Sequence, residues 1–372
     1  MIPYLLAYLF ASVFSFCYSK SRDKSAIVIF ASLTFLTLFL PLALRYGIGT
    51  DYENYVRIID AFVRTGVNKS IEIGWTPLLL LIRNFQFDSH FFFVVPAFVS
   101  TLIIFISVPR KYLWFCLPPY VAIYWLESFS LVRQAFAASV FLLALHWFFK
   151  KKYLTFLLFA LLSTILHKSM AIPLVLTSLS LLSWRIFAPW TNCLILLGFY
   201  LFTRLVNVGQ LLMDVVVGNT PYARYVSSQI NKTSEGGSGM GLYLRLVIFL
   251  ILLIVPFVQY RKIRLRICNP ATLAAVERRR EYNLLCLYVL ALMAGHVLAY
   301  QIHIFNRIPN IFSVFYLFFA YKLMNAKSRY RMVVMGLFQV LLFMLFLATL
   351  RGASVSSVGG LGIVPYQSIF SR

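Results

Sequence analysis

The stretch that decides the fold is the apolar run Ala26–Leu44, AIVIFASLTFLTLFLPLAL, followed by the polar segment Arg45–Tyr55, RYGIGTDYENY. A helix of roughly 20 apolar residues crosses the hydrocarbon core of a bilayer, and the apolar run reaches that length. Gly47 and Gly49 then permit a sharp, non-helical exit from the helix. Carboxylates, an arginine and tyrosines follow where the helix leaves the membrane, and a plain connecting loop does not need that mixture.

Composition excludes a soluble globular protein. Hydrophobic residues make up 61% of the chain, charged residues 12%, and the mean hydropathy is +0.83. Such values are typical of a membrane protein with many spans. The apolar runs extend from end to end, so we expect one integral membrane domain over residues 1–372. The first run, Ile2–Tyr18, lacks a basic start and a small-residue cleavage site and is interpreted as a retained span.

The net charge of +23 reflects membrane topology rather than nucleic-acid binding, because the basic residues alternate from loop to loop. Of the 34 Lys and Arg residues, 20 fall in one set of short loops, which the positive-inside rule makes cytoplasmic. They are Lys20, Arg22, Lys24, Arg110, Lys111, Lys150, Lys151, Lys152, Arg185, Arg261, Lys262, Arg264, Arg266, Arg278, Arg279, Arg280, Lys322, Lys327, Arg329 and Arg331.

Taken in order, the apolar runs predict an all-α polytopic protein with about 12 transmembrane helices and both termini outside. The predicted spans are Ile2–Tyr18, Ala26–Leu44, Ser89–Val108, Tyr112–Leu126, Ala135–Phe149, Tyr153–Leu166, Met170–Trp184, Ala188–Leu205, Gly241–Gln259, Tyr282–Tyr300, Ile308–Tyr321 and Met332–Leu350. The longest outer segments are residues 45–88 and 206–241. Within the first, the short run Trp75–Phe85 is interpreted as a surface or re-entrant helix.

Metal and disulfide chemistry are not expected. The five cysteines are scattered through the chain without paired spacing, which argues against disulfides and against a cysteine-based metal site. No two carboxylates are spaced so as to demand a divalent ion. We therefore expect no cofactor and no metal.

Basic residues on the predicted outer side work against the positive-inside bias and indicate a binding site. Several lie close to the ends of spans, where burial is expensive without a partner. We expect them to converge on one outward-facing basic cavity; they are Arg45, Arg133, His167, Lys168, Arg245 and Arg307. Arginine binds phosphate oxygens through parallel hydrogen bonds, so a lipid diphosphate is the natural ligand. Nearby tyrosines, among them Tyr52 and Tyr55, offer flat faces to sugar rings.

Each of these signals also has a purely structural interpretation. Arg45 suits a side chain that reaches from a helix end to the interface. Glu127 and Arg133 fit an ion pair across one turn, and Asp51 fits a cap for the helix that follows it. His167 at a helix terminus is more often structural than catalytic, and the tyrosines fit an ordinary interfacial belt. The case for a site depends on the residues taken together.

The segment Arg45-Tyr46-Gly47-x-Gly49-Thr50-Asp51-Tyr52-x-x-Tyr55 resembles the signature of the EpsG family, which groups with Wzy-type O-antigen and capsule polymerases. Supporting pieces follow in order along the chain. They are Glu72-x-Gly74, Arg133-Gln134-x-x-Ala137, His167-Lys168-Ser169 and the tail Pro365-Tyr366-Gln367-Ser368-Ile369-Phe370. The resemblance covers nearly the whole chain, although most of it is generic apolar sequence.

The resemblance implies a polysaccharide polymerase of the bacterial inner membrane, with an active site facing the periplasm and a fold similar to GT-C glycosyltransferases. The donor and the acceptor would both be oligosaccharides on undecaprenyl diphosphate. The expected partners are these substrates and membrane lipids, with a chain-length regulator as a candidate and no nucleic acid.

The resemblance also suggests roles for individual residues. An inverting transfer needs a base, for which Asp51 is the first choice, with Glu72 and Glu127 in reserve. Cationic side chains would stabilise the leaving diphosphate. The candidate substrate-binding residues are Arg45, Tyr52, Tyr55, Arg133, His167, Lys168, Arg224, Arg245 and Arg307.

Three other functions remain open from the sequence. A flippase or transporter for the same lipid-linked sugar tends to carry charges at mid-membrane and internal repeats. Here the charges cluster at span ends, which favours an enzyme. An O-antigen ligase shares the donor and differs only in the acceptor. An acyltransferase would depend on His167 or His303, neither of which has a companion motif.

Overall fold

The structure is a computed structural model that describes residues 1–68, 71–182, 189–206, 241, 243–254, 273–301, 303–325, 331–354 and 360–371. In these ranges the regular structure is helical, which confirms the all-α prediction. Extended pairing within them is limited to two isolated bridges, Arg45 with Ser368 and Ser354 with Val364.

Most of the described helices overlap the predicted apolar runs. The described helices are α1 Ile2–Lys20, α2 Lys24–Ala43, α3 Tyr52–Thr65, α4 Thr76–Asn84, α5 Phe91–Ser107, α6 Arg110–Tyr120, α7 Val132–Phe149, α8 Tyr153–Leu166, α9 Ala171–Ser180, α10 Pro189–Leu205, α11 Tyr243–Ile254, α12 Leu273–Gln301, α13 Arg307–Ser313, α14 Tyr316–Met324 and α15 Arg331–Arg351. Helix α3 lies in the predicted outer segment 45–88, and the predicted span Ile308–Tyr321 is divided between two short helices, α13 and α14. Short 3-10 turns occupy Ile73–Trp75, Lys168–Met170, His303–Asn306 and Ile369–Ser371.

The chain divides into two compact units. The first comprises Met1–Ile172, Val314–Tyr321 and Leu342–Arg372, and the second comprises Pro173–Ser313 and Lys322–Leu341. In the first unit, α1 packs on α2 and α6, α2 packs on α5, and α7 packs on both α5 and α8. In the second unit, α12 packs on α10 and α13.

Prolines and polar caps set the helix boundaries. Helix α2 begins where the Asp23 side chain accepts a hydrogen bond from the Ala26 amide at 2.7 Å. Helix α6 contains Pro118 and Pro119, and a π-helical turn follows directly at Val121–Trp125. Proline lacks the N–H that the α-helical ladder needs, so the two prolines account for a widened turn at this place.

Within the described residues, five helices are long and apolar enough to cross a membrane by length and composition. They are Ile2–Lys20, Lys24–Ala43, Val132–Phe149, Arg279–Ala299 and Arg331–Arg351, and four shorter apolar helices accompany them. These helices identify a membrane protein, while the count of about 12 crossings and the GT-C-like architecture stay predictions. Helix α4 has only 9 residues. At 1.5 Å per residue it falls far short of a bilayer core of about 30 Å, which favours a surface or re-entrant position.

Contacts in the first unit sort the predicted loops into two groups. Among the predicted outer segments, the Ile369 amide donates to the Leu44 carbonyl at 2.9 Å. Among the predicted cytoplasmic turns, the Ser19 hydroxyl donates to the Arg110 carbonyl at 2.7 Å, and Arg110 in turn donates to Ser21 at 2.9 Å. The loops of each group therefore contact one another, as alternating crossings require. Which group faces the periplasm stays a prediction.

A labelling experiment tests this sidedness. Ile73→Cys and Phe370→Cys replace side chains that are 77% and 79% exposed at the predicted outer end. In spheroplasts, both thiols should react with a membrane-impermeant maleimide. Lys150→Cys, at an exposed position of the predicted cytoplasmic end, should react only after permeabilisation. The unmodified chain gives the background from its five native cysteines. Labelling of Ile73→Cys and Lys150→Cys from the same side would contradict the topology.

Candidate functional site

In the turn between α2 and α3, the position of Gly49 accommodates only glycine. Gly47 and Gly49 both adopt positive φ angles, of 62° and 98°. A Cβ on Gly49 would lie 2.1 Å from the carbonyl oxygen of Phe129, whereas a Cβ on Gly47 would meet nothing closer than 3.5 Å. The backbone of Gly49 therefore lies against the turn that joins α6 to α7.

Two other segments hold this turn in place. On one side, the Thr50 amide lies 3.4 Å from the Ser130 hydroxyl of the α6–α7 turn. On the other side, the Tyr46 amide donates to the Gln367 carbonyl at 3.0 Å. The glycine-containing turn is thus enclosed between an internal turn and the end of the chain.

Arg45 is buried at the centre of this arrangement, with 2% of its surface exposed. Its Nη1 donates to the Ser128 carbonyl at 3.0 Å, and its guanidinium carbon lies 4.8 Å from the Phe93 ring centre and 5.6 Å from that of Phe129. Its Nε is buried without a hydrogen-bond partner, beside a cavity of about 20 Å³. Burial lowers the pKa of the Arg45 guanidinium to about 10, so the group stays charged at neutral pH.

Tyr52 and Tyr55 point inward from α3 and are only 4% and 3% exposed. The Tyr52 ring stacks on Phe93 at 4.6 Å, and its hydroxyl lies 3.5 Å from Nδ1 of His90. The Tyr55 ring lies under the guanidinium of Arg133, with 5.2 Å between the Arg133 Cζ and the ring centre. Tyr52 therefore packs in the core beneath Arg45, while Tyr55 supports a second arginine.

Arg133 forms an ion pair with Glu72, in which Nη1 of the guanidinium donates to Oε2 of the carboxylate. Their side chains remain 19% and 12% exposed. The sequence suggests Glu127 as the structural partner of Arg133, only one turn away along the chain. In the structure the salt-bridge partner of Arg133 is instead Glu72, 61 residues earlier. Glu127 is half-buried just before the α6–α7 turn.

Gly74 and Trp75 place the ion pair beside the end of α8. A Cβ on Gly74 would lie 2.9 Å from the Ile165 carbonyl oxygen, so glycine permits the close approach. The Trp75 indole N–H donates to the Leu166 carbonyl at 2.9 Å, and the side chain is 1% exposed. Because Leu166 immediately precedes His167, this contact ties the Glu72 segment to the histidine turn.

His167 lies at the start of the 3-10 turn Lys168–Met170 and is half-buried. Its Nδ1 accepts from the Ser169 amide at 3.4 Å and lies 2.7 Å from the Ser169 hydroxyl. Acceptance from an amide requires an unprotonated Nδ1, which places the ring proton on Nε2 in the neutral form. Lys168 is exposed.

Asp51 is at the N-cap of α3, one helical turn before Tyr55, whose amide donates to the Asp51 carbonyl at 3.0 Å. The position fits the capping interpretation, but the Asp51 side chain makes no capping hydrogen bond. The first unit therefore links Asp51, Tyr55, Arg133, Glu72 and the His167 turn in a continuous series of contacts. We call this series the outer-end cluster.

The remaining predicted residues belong to the second unit or lie outside the described residues. Arg245, on α11, and Arg307, which begins α13, are half-buried in the second unit. Arg224 lies outside the described residues, as does nearly all of the predicted outer segment 206–241. Direct ligand contact by any predicted residue stays a prediction. Among the described residues, no group of three or more His, Cys, Asp or Glu could hold a metal ion.

Sequence reasoning missed Trp75, which ties the Glu72 segment to the end of α8, and Ser128, whose carbonyl accepts from Arg45. Trp75 follows the quoted Glu72-x-Gly74 piece directly, and a tryptophan at the start of a short apolar helix could have been recognised as its core residue. The inward orientation of Tyr52 and Tyr55 also had a signal. Together with Ile59 and Phe62 they form the buried face of α3 at helical spacing.

A comparison with protein-family models matches residues 28–368 to the model described as EpsG family. The match covers nearly the whole chain, including every residue of the outer-end cluster. No curated protein and no solved structure matches the chain.

The two glycines of the turn give a matched test of its geometry. Gly49→Ala places a methyl group against the Phe129 carbonyl at positive φ and should destabilise the protein by about 2–4 kcal/mol. Gly47→Ala has room for its methyl group and should cost about 1 kcal/mol for its positive φ alone. Thermal unfolding of the detergent-solubilised variants measures the difference. Equal melting temperatures for the two variants would contradict the close approach at Gly49.

Proposed function

The chain belongs to the EpsG family, whose members are Wzy-like polymerases, and from this premise we propose that it joins oligosaccharide repeat units carried on undecaprenyl diphosphate. Family membership indicates an exopolysaccharide or O-antigen polymerase-type glycosyltransferase, and the apolar helices indicate a membrane protein. The lipid carrier, the periplasmic face and the inner-membrane location are parts of the proposal.

The proposed reaction transfers a growing glycan from its lipid diphosphate to a hydroxyl of a single lipid-linked repeat unit. The bond between the anomeric carbon and the diphosphate oxygen breaks, and a bond from that carbon to the acceptor oxygen forms. The electron pair leaves with the lipid diphosphate, and the acceptor hydroxyl loses its proton to a base. The protein has two tasks: to stabilise the leaving charge and to accept the proton.

The observation that carries the proposal is the partly exposed ion pair of Arg133 and Glu72 on the face of Tyr55. A guanidinium presents five N–H donors in one plane, and this geometry matches phosphate oxygens. Glu72 and Tyr55 fix the plane before substrate arrives, so little ordering cost remains when a diphosphate binds. Arg133 is therefore proposed to stabilise the leaving diphosphate, and Glu72 to orient Arg133.

Asp51 is the proposed base for the acceptor hydroxyl. Its contact series leads through Tyr55 to Arg133, so a base at Asp51 and a cation at Arg133 belong to one structural unit. Glu72 is less suited to the role because its carboxylate already accepts from Arg133. Glu127 remains the reserve.

The other predicted residues receive supporting roles in the proposal. His167 and Lys168 belong to the His167 turn of the cluster and would contact the diphosphate or the sugars. Arg224, Arg245 and Arg307 keep the role predicted from the sequence, substrate binding through their positive charge. Arg45 is proposed to hold the turn that carries Asp51 rather than to touch a ligand, since only 2% of its surface is exposed.

Incubation of the purified protein with lipid-linked repeat units, without added metal, tests the proposed function. A ladder of products of increasing length on the lipid carrier is the expected result. Transfer of glycan to a different acceptor would instead indicate a ligase. Movement of the substrate across the bilayer of proteoliposomes, with no new glycosidic bond, would indicate a transporter.

Variants of the ion pair separate its two members. Arg133→Gln should lower kcat/KM by roughly 100-fold, because it removes a preorganised donor to the leaving group. Glu72→Gln should cost roughly 10-fold, since the guanidinium keeps its charge and loses only its orientation. Arg57→Gln removes an exposed cation from the same outer segment and should leave the rate unchanged. A normal rate for Arg133→Gln would remove this residue from the mechanism.

Asp51→Asn should abolish chain extension while the protein level and the melting temperature stay unchanged, because asparagine keeps the shape and cannot accept the proton. Glu53→Gln, which changes an exposed carboxylate two residues away, is the matched control. Product length on gels measures both variants. Ladders of wild-type length from Asp51→Asn would exclude this residue as the base.

A further inference from the structure

The described end of the chain, residues 360–371, forms hydrogen bonds along the turn that carries Asp51, and we call it the C-terminal tail. Backbone hydrogen bonds join the two segments at three points. The Tyr46 amide donates to the Gln367 carbonyl at 3.0 Å, the Gly49 amide to the Gly362 carbonyl at 2.8 Å, and the Ile369 amide to the Leu44 carbonyl at 2.9 Å.

Side chains from the rest of the first unit hold the tail on its other faces. The Tyr4 hydroxyl of α1 donates to the Ile363 carbonyl at 2.5 Å. The Ser130 hydroxyl donates to the Leu361 carbonyl at 2.5 Å, and the same hydroxyl lies near the Thr50 amide. From the tail itself, the Tyr366 hydroxyl donates to the Pro41 carbonyl at 3.1 Å, at the end of α2. The tail therefore joins α1, α2 and the α6–α7 turn.

The turn requires this support because its own sequence favours flexibility. Glycines at positive φ lose much conformational freedom on folding, so a turn with two of them is poorly ordered unless neighbours satisfy its polar groups. The tail accepts from the amides of Tyr46 and Gly49. Asp51 follows Gly49 by two residues, so its position is set by the same hydrogen bonds.

The tail contributes more to this local geometry than to the hydrophobic core. Ile363 is fully buried, at 0% exposure, whereas Phe370 is 79% exposed and Pro365 and Gln367 are also exposed. We therefore expect removal of the tail to free the turn, because the amides of Tyr46 and Gly49 lose their acceptors.

We propose that the C-terminal tail is a positioning segment for the polymerisation site, which holds the turn 45–51 so that Asp51 is presented to the acceptor hydroxyl. The proposal rests on the proposed function for its activity readout. It assigns Tyr366 as a positioning residue that acts through the turn and does not touch the substrate.

Deletion of residues 360–372, in the otherwise full chain, is the first test. Hydrogen exchange followed by mass spectrometry should show faster exchange at Tyr46 and Gly49, which donate to the tail. The Leu44 amide bonds within α2 at 2.8 Å and should stay protected, as a control in the same peptide region. Chain extension should fall by at least roughly tenfold.

A synthetic peptide of residues 353–372 distinguishes positioning from a general folding defect. Added to the deleted protein, it should restore both amide protection and chain extension, whereas a scrambled peptide should restore neither. Unchanged exchange at Tyr46 and Gly49 after the deletion would overturn the proposal. Full activity of the deleted protein would overturn it as well.

A single-atom variant gives a milder test in case the deletion unfolds the protein. Tyr366→Phe removes only the hydroxyl that donates to Pro41 and should lower kcat about fivefold with KM unchanged, as expected for one lost hydrogen bond. Phe370→Ala changes an exposed tail side chain and should leave kcat unchanged. A change in KM alone for Tyr366→Phe, or no change at all, would contradict a positioning role.

The two proposals fail in different ways. If the wild-type protein forms no ladder from lipid-linked units, the proposed function fails while the exchange measurements still report on the tail. If the ladder forms and persists without the tail, the polymerase assignment stands and the positioning role is wrong.

Discussion

The first unit depends on the burial of one cation, Arg45, at the end of α2. A charged group out of water costs several kcal/mol unless its surroundings replace the lost hydration. Here two aromatic faces, the Ser128 carbonyl and the C-terminal end of α2 supply that replacement. Because these groups come from three segments, the charge is accommodated only when α2, α5 and the α6–α7 turn are assembled together.

The carbonyl groups at the ends of α2 and α8 explain why several polar contacts meet at this end of the unit. A helix that ends in a membrane protein leaves carbonyl groups without partners, and these groups must find donors. The α2 end finds them in the Ile369 amide and the Tyr366 hydroxyl, and the α8 end finds one in the Trp75 indole. The same requirement therefore fixes the C-terminal tail on α2 and ties the Glu72 segment to the His167 turn of the outer-end cluster.

Much of the fold was predictable from the sequence, because apolar runs of helical length have few alternatives in a bilayer. The break after α2 followed from its two glycines, and the membrane class followed from composition. The ion-pair partner of Arg133 was harder to predict, because a sequence alone favours near neighbours such as Glu127. In the folded chain the partner is Glu72, which lies 61 residues earlier. The tail Pro365–Phe370 was recognisable in the sequence as a family-like piece, but its position against the turn was not, since three of the hydrogen bonds that hold it there join backbone groups.

Arg45 and Arg133 show why residue identity alone does not define a binding site. Arg45 follows the apolar run of α2, whereas Arg133 lies in the first turn of α7. Each guanidinium lies over an aromatic ring. Arg45 has no carboxylate partner in the described part of the chain, and only 2% of its surface is exposed. Its guanidinium therefore contacts neighbouring segments and stabilises their packing. Arg133 keeps 19% of its side chain exposed and is held by a carboxylate that a diphosphate could displace or supplement. A guanidinium can act on a ligand only where its neighbours fix its plane and still leave it an open side, and in the first unit Arg133 meets both conditions.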